Sequence, residues 1–511
     1  MHQPLDRNAA DTPYAWVRLA LSLLASTIGG VGMWSVVVVL PAVQAEFGVA
    51  RGEASLPYTL TMLGFGFGGF AMGTLADRYG VAVTSAIGAV ALGLGYAGAA
   101  YAGSIWQFAL IQGALIGFFG ASATFAPLVA DTSHWFVRRR GIAVAICASG
   151  NYLSGTLWPP VLQHFVESAG WRPTHVGIGL FCVATLLPLS LAFRRQPAEK
   201  HAPEPPPAPA AARPVSPTLV QALLIVAGFA CCVAMSMPQV HIVAYCGDLG
   251  YGVARGTEML SIMLGLGIVS RVGSGFLADR IGGLATVLVG SVLQALSLAL
   301  YLFFDGLASL YVISAIFGLV QGGIIPSYAI VIREVFPARE AGSRVGVVIM
   351  ATIFGMAFGG WISGAIFDLT GSYRAAFLHG IAWNVANFAI VWWLLRRSRH
   401  GGTSGAPGQE TGAERSAWNC YVAKITPIIR VIAVKTVSAT ECNRYFSKIL
   451  RDVRAGETVI VTLRGKPVVE IRSANRIVAD REAAKQALFT RLRSQPVLNL
   501  PRIRRDELYD D

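Results

Sequence analysis

The chain is divided into apolar blocks of roughly twenty residues, and this repeat constrains its fold more than any other feature. About twenty apolar residues, at 1.5 Å rise each, make a helix that crosses roughly 30 Å of hydrocarbon. In lipid, backbone N–H and C=O groups must find partners inside the protein, so blocks of this length are expected to be helices. They lie near 16–40, 55–75, 82–102, 106–130, 141–163 and 174–193, then near 218–246, 257–278, 284–304, 308–332, 343–366 and 376–396. The bulk figures agree: 54% of the 511 residues are hydrophobic, 14% are charged, and mean hydropathy is +0.56. A soluble domain carries about 25% charged residues. The first block is too long for a signal-peptide core and reads as a retained span. The expected fold is an all-α membrane protein with twelve transmembrane helices in two six-helix halves.

The expected layout is an N-terminal tail (1–15), a first half (16–193), a linker (194–217), a second half (218–397), a further linker (398–433) and a small α+β domain (434–511). The Pro/Ala-rich stretch PAEKHAPEPPPAPAAARP cannot bury a core and reads as a solvated connection. Loops after even-numbered spans hold Arg78, Arg138 to Arg140, Arg194, Arg195, Lys200, Arg213, Arg280, Arg333, Arg339 and Arg344. Arg396, Arg397 and Arg399 follow the last span, whereas odd-numbered loops hold only Arg51, Arg172, Arg255 and Arg374. The positive-inside rule then places both termini and the central linker in the cytoplasm, with the spans in a bacterial inner membrane. The seven cysteines (Cys147, Cys182, Cys231, Cys232, Cys246, Cys420 and Cys442) lack metal-ligand spacing and read mostly as small buried hydrophobes. No nucleotide loop, metal cluster or paired catalytic carboxylate is found, so neither enzymatic chemistry nor a cofactor is expected.

A local repeat relates the two halves. Gly73-Thr-Leu-Ala-Asp77-Arg78-Tyr-Gly80 ends the second block, and Gly275-Phe-Leu-Ala-Asp279-Arg280-Ile-Gly282 ends the eighth. Either run alone could merely cap a helix; their recurrence in register points to an internal duplication. The motif resembles the signature loop of the major facilitator superfamily. The resemblance implies that Gly73, Asp77, Arg78, Gly80, Gly275, Asp279, Arg280 and Gly282 form gates, with the Asp able to pair with Arg across the gate. The usual basic pair after the last glycine is replaced by Val81-Ala82 and Gly283-Leu284.

Further motifs resemble the monocarboxylate porter and oxalate/formate antiporter branch: Trp135-Phe-Val-Arg138-Arg139-Arg140 opening span 5, Glu46-Phe47-Gly48-Val-Ala-Arg51, Pro238-Gln239-Val240-His241, and Asp368-Leu-Thr-Gly371-Ser-Tyr373. Arg271, eight residues before Asp279, is the most informative single residue. At about 1.5 Å per residue it lies roughly 12 Å inside the helix end, too deep for full snorkelling. A charge there costs at least about 2.5 kcal/mol. In the relatives an arginine at this place binds the substrate carboxylate, and a guanidinium fork suits both carboxylate oxygens. The plainer alternative is that Arg271 bonds backbone carbonyls and serves packing. Gly267 stands where proton-coupled relatives carry an acid. His241 could titrate near neutral pH, or be a hydrogen-bonded interface residue. Trp34, Gln112, Asn151, Tyr152, Gln239, Tyr245, Gln321 and Tyr328 are candidate cavity liners or helix-packing hydrogen bonders. The expected cargo is a small organic anion, with the lipid bilayer as surroundings; a membrane sensor that binds without transporting is the alternative.

After His400 the composition changes, and GGTSGAPGQETGAER reads as a flexible linker. Lys435-Thr-Val-Ser-Ala reads as a strand, Ser438-x-x-Glu441 as a helix cap, and Thr458-Val-Ile-Val-Thr-Leu with Pro467-Val-Val-Glu-Ile as a hairpin. With Arg454-Ala-Gly-Glu-Thr-Val and Arg464-Gly465-Lys466-Pro467-Val468, this region resembles a Phd/YefM-type antitoxin. The resemblance implies an operator DNA partner and a cognate toxin. Lys435, Arg444, Lys448 and Arg451 are the candidate phosphate contacts, or simply a solvated helix face. The pairing is a tethered regulator or a fusion of neighbouring reading frames, in which Val434 stands where a separate antitoxin would begin.

Overall fold

The structure is a computed structural model that describes residues 12–136, 139–195, 216–336 and 338–400, and in the tail 435–438, 442, 446, 459–463 and 466–471. The chain forms two compact units, Met1–Gly408 and Gln409–Asp511.

In the first unit, α1 (Pro13–Gly29) and α2 (Val31–Phe47) make one long span. A single-turn α3 (Arg51–Ala54) leads into α4 (Leu56–Tyr79), followed by α5 (Val81–Ala100). The next span is composite: α6 (Ile105–Ile111), a π-helical stretch (Gln112–Ala121) and α7 (Ala126–Trp135). Then come α8 (Arg140–Ala148), α9 (Gly150–Ala169) and α10 (Trp171–Leu191). The C-terminal set comprises α11 (Pro217–Asp248), α12 (Val253–Ile281), α13 (Gly283–Phe303), α14 (Leu307–Gln321), α15 (Ile324–Val335), α16 (Ala338–Thr370) and α17 (Tyr373–His400).

All twelve predicted blocks fall on helix, and most helices run a turn or so past the apolar stretch. Apolar sequence marks the hydrocarbon, whereas helix continues into the polar interface. Among the described residues, eleven segments are long and apolar enough to cross a membrane. The fifth predicted block is helical as α8 and α9 but is not among them, since α8 is short and Asn151, Gln163, His164 and Glu167 dilute the apolar character of α9. Large apolar side chains such as Phe70, Leu94, Leu180 and Phe276 point outward, as a lipid-facing surface requires.

The duplicated motif has a matching backbone. Gly80 (φ 87°) separates α4 from α5, and Gly282 (φ 84°) separates α12 from α13. This left-handed turn accounts for the glycine that ends each copy. One buried cluster joins the two helix sets, with Trp34, Tyr58 and Met62 from the first and Met263, Leu264 and Phe317 from the second. Cys147, Cys182, Cys231, Cys232 and Cys246 are buried and unpaired; Cys420 lies outside the described residues.

In the second unit, β1 (Lys435–Ser438) pairs in parallel with β2 (Val459–Leu463), which pairs antiparallel with β3 (Lys466–Ile471). The expected first strand and hairpin fall on these elements. Lys435 lies in β1, while Arg444, Lys448 and Arg451 lie outside the described residues.

Candidate functional site: an intramembrane arginine and a clasp between helix sets

Arg271 lies on the uninterrupted α12, a segment long and apolar enough to cross a membrane. Its Nε donates to Gly322 O (3.2 Å) and its NH1 to Ala148 O (3.0 Å). Both acceptors sit at helix ends: Ala148 is the last residue of α8, and Gly322 caps α14. The final carbonyls of a helix lack intrahelical donors and carry the negative end of its dipole. Two such ends converge on one guanidinium. The carbonyl contacts of the plainer alternative are therefore present, and no carboxylate pairs with Arg271 among the described residues.

The guanidinium carbon also lies 4.2 Å from the Tyr152 ring centroid, within cation–π range. One turn earlier, a methyl group at Gly267 would come 2.4 Å from Tyr152 Cε1. The ring fills the space that a side chain at 267 would need. Tyr152 and Gly267 therefore fit as a pair, and the Arg271 charge rests on neutral groups.

The other predicted liners divide. Trp34 Nε1 donates to Asn151 O (3.1 Å) and lies 3.3 Å from its Oδ1, beside Tyr152. Gln239 Nε2 donates to Gln321 Oε1, leaving Gln239 Oε1 and Gln321 Nε2 buried without protein partners. Gln321 adjoins Gly322 and hence Arg271. Both amide atoms of Gln112 are likewise unpartnered, at the start of the π-helical stretch. Tyr328 is occupied elsewhere, donating to Asn387 Oδ1 (2.7 Å), while Asn387 Nδ2 donates to Ser291 Oγ (2.6 Å). Tyr245 packs edge-on against Tyr373 and Phe377.

The motif gates are laid out differently from the pairing expected. Asp77, Arg78, Asp279 and Arg280 are all exposed, and none is in an ion pair among the described residues. The ion pair between the helix sets lies at the opposite end. There Arg51 donates through NH1 and NH2 to the Asp248 carboxylate (3.0 and 3.1 Å) and through NH1 to the Tyr373 hydroxyl (2.6 Å). The Arg51 and Gly52 backbone N–H groups donate to Asp368 (2.8 and 2.6 Å). The N-terminus of α3 thus meets a carboxylate, as the helix dipole favours. His241 Nδ1 is 3.2 Å from the Tyr373 hydroxyl, and its Nε2 is 2.8 Å from Gly360 O.

From this clasp, contact continues along α4 and α16 through Thr59 Oγ1 to Ala357 O (3.1 Å) and the Phe67–Phe354 ring pair. It continues between α9 and α12 down to Arg271 and Ala148. Beyond those points a methyl group at Gly73, Gly273, Gly275, Gly342 or Gly346 would meet open space. Among the described residues, the ion pair and side-chain hydrogen bonds that join the sets lie at the clasp end, along α4 and α16, and at Arg271, and none joins the motif loops.

Sequence reasoning treated Arg51 as a loop charge and as the end of a family-like motif, and gave it no partner. The available signal was the opposite charge of Arg51, Asp248 and Asp368 in loops on one side of the membrane. It also passed over Arg18, whose Nε and NH2 contact Asp131 (2.8 and 3.1 Å) at 3% and 4% side-chain exposure. Arg18 further packs on Trp135 and Phe193, joining α1 to α7 and to the turn after α10.

A family model, Major Facilitator Superfamily, matches residues 22–309 and 272–463. The chain belongs to that superfamily, which makes it a multi-pass membrane carrier and not an enzyme. It is 28% identical over 336 residues to MFS-type transporter opdF of Penicillium oxalicum, covering 65% of this chain and 78% of that one. It is 27% identical over 342 residues to monocarboxylate transporter 13 of Bos taurus, covering 64% and 76%. Among solved structures, a bacterial homolog of the human lysosomal transporter Spinster, inward-facing and occupied, shares the fold. The TM-score is 0.57 at 14% identity, over 78% of this chain and 100% of that one.

The Arg18–Asp131 pair yields a test. Arg18→Leu leaves a buried carboxylate unpaired and is expected to cost about 3–5 kcal/mol, whereas Arg18→Leu with Asp131→Leu regains most of that. Thermal unfolding in detergent checks the order: the single variant melts well below the double.

Proposed function

We propose that the chain is a secondary active transporter that moves a small organic anion, a monocarboxylate, across a bacterial inner membrane by alternating access. Arg271 supports this reading: it is a permanent positive charge at membrane depth, held by neutral groups and not by an acid. Its two carbonyls and one ring face offset the cost of burial without cancelling the charge. An arriving carboxylate can take both guanidinium N–H edges, a stronger pairing than the carbonyl bonds it displaces. The unpartnered Gln239 Oε1 and Gln321 Nε2, next to that arginine, can meet polar atoms elsewhere on the cargo. Trp34, Asn151 and Tyr152 border the same place; Tyr245 and Tyr328 are proposed as further liners, Tyr328 by giving up its bond to Asn387.

The reading takes twelve passes in two halves, 16–193 and 218–397, with both termini and the central linker on the cytoplasmic side. On that orientation the Arg51 clasp closes the outer end, and the motif end, with Asp77, Arg78, Asp279 and Arg280, is open inward. Gly73, Gly80, Gly275 and Gly282 allow the motif loops to come together when the halves rock the other way. The homology to a monocarboxylate transporter supports the anion class. Arg271→Ala and Arg271→Lys are each expected to lower uptake of labelled small monocarboxylates by tenfold or more, with normal amounts of protein in the membrane. Undiminished uptake by Arg271→Ala contradicts the assignment.

We also propose that residues 434–511 form a Phd/YefM-like module that binds operator DNA through Lys435, Arg444, Lys448 and Arg451, and a cognate toxin through its end. The parallel–antiparallel strand order of β1, β2 and β3 supports a compact unit there. An antibody against the tail distinguishes its two origins: a band near the full 54.2 kDa indicates a tethered module, and a separate fragment of about 9 kDa indicates independent translation.

A further inference from the structure

The clasp holds a hydrogen-bond chain whose direction is set by its ends. Arg51 can only donate, so the Tyr373 oxygen accepts its NH1 at 2.6 Å. Gly360 O can only accept, so His241 Nε2, at 2.8 Å, carries a hydrogen. The neutral imidazole then has an acceptor at Nδ1, 3.2 Å from the Tyr373 hydroxyl, which donates to it. Arg51 NH1, the Tyr373 hydroxyl and both His241 nitrogens are thus all partnered, and His241 is fully buried.

A proton on Nδ1 breaks the arrangement. Two cationic donors, from Arg51 and His241, would then face one phenol oxygen, and the phenol hydrogen would lose its acceptor in a buried site. The topology makes this a competition. His241 and Tyr373 both belong to the C-terminal set, on α11 and α17, whereas Arg51 comes from the N-terminal set. When Arg51 withdraws, Tyr373 is free to accept from a protonated imidazole. The groups facing His241 are Arg51 from α3, Tyr245 and Asp248 from α11, Asp368 from α16 and Tyr373 from α17, with Tyr58 of α4 against Gly360. Asp248 and Asp368 lose the Arg51 charge on opening, and a protonated His241 replaces it nearby.

We propose that His241 is a proton-binding site of the outer gate, and that Arg51 and a proton on His241 are alternative partners of the Tyr373 oxygen. The gate closes only over a neutral imidazole; a proton taken from the outer solution at Nδ1 holds it open. An unperturbed imidazole titrates near neutral pH, so the open state would respond in the range membranes meet. The proposal rests on the alternating-access reading above.

The test uses the full chain in lipid nanodiscs, with spin labels at Tyr101→Cys and Phe304→Cys. These residues are 83% and 51% exposed and lie at the clasp ends of α5 and α13. Lowering the pH from about 8 to about 5.5, across the ordinary histidine range, should enlarge a longer-distance population several-fold. His241→Gln should abolish the response, and so should Tyr373→Phe, which keeps the histidine but removes the contested oxygen. A full pH response in either variant overturns the proposal. So does a wild-type distance indifferent to pH when Arg51→Ala lengthens it at every pH. If Arg51→Ala leaves the distance short, the clasp reading itself fails and the proton inference falls with it.

Discussion

The positive charge of Arg271 within the membrane is the constraint on which the rest of the site depends. Insertion at such depth costs at least about 2.5 kcal/mol, and the fold answers with three neutral groups. Two helix ends deliver the Ala148 and Gly322 carbonyls, and Tyr152 places a ring face against the guanidinium. Those carbonyls exist because two spans are interrupted, between α8 and α9 and between α14 and α15. In lipid, irregular backbone is tolerated where protein or a polar cavity takes up the freed groups. The breaks and the arginine thus account for each other.

The clasp is the second constraint, and it acts between the helix sets. Arg51 reaches two residues of the opposite set with side-chain hydrogen bonds, and the start of α3 donates to a third. Breaking such a network in a partly buried setting leaves charges unpaired, so it favours one arrangement of the sets until something compensates. The motif end has no comparable ties among the described residues. Arg18 and Asp131 join helices within the first set only, which suits a set that moves as a rigid body.

Much of the fold was legible because lipid imposes a coarse rule: apolar blocks of the right length became helices, and duplicated glycines became matching left-handed turns. The breaks were not legible. Nothing in the apolar pattern separates Ala148 from Gly150, since helix continuity there depends on tertiary contacts such as Gly150 against Ser26. Of the site, Arg271 stood out because a charge in an apolar run is costly, and Trp34, Asn151 and Tyr152 were found beside it. Tyr328 shows the packing side of its two readings, since a tyrosine at membrane depth can serve a hydrogen-bond network as readily as a cavity, and this one bonds Asn387. The pairing of Arg51 with Asp248 and of Arg18 with Asp131 was missed because partners 197 and 113 residues away leave no local pattern.

The most direct test is a structure of the full chain with a transported monocarboxylate bound. The account predicts carboxylate oxygens about 3 Å from the Arg271 guanidinium nitrogens, with the bond to Ala148 or Gly322 given up and Gln239 or Gln321 turned toward the cargo. A carboxylate bound elsewhere, with Arg271 still on both carbonyls, would contradict it.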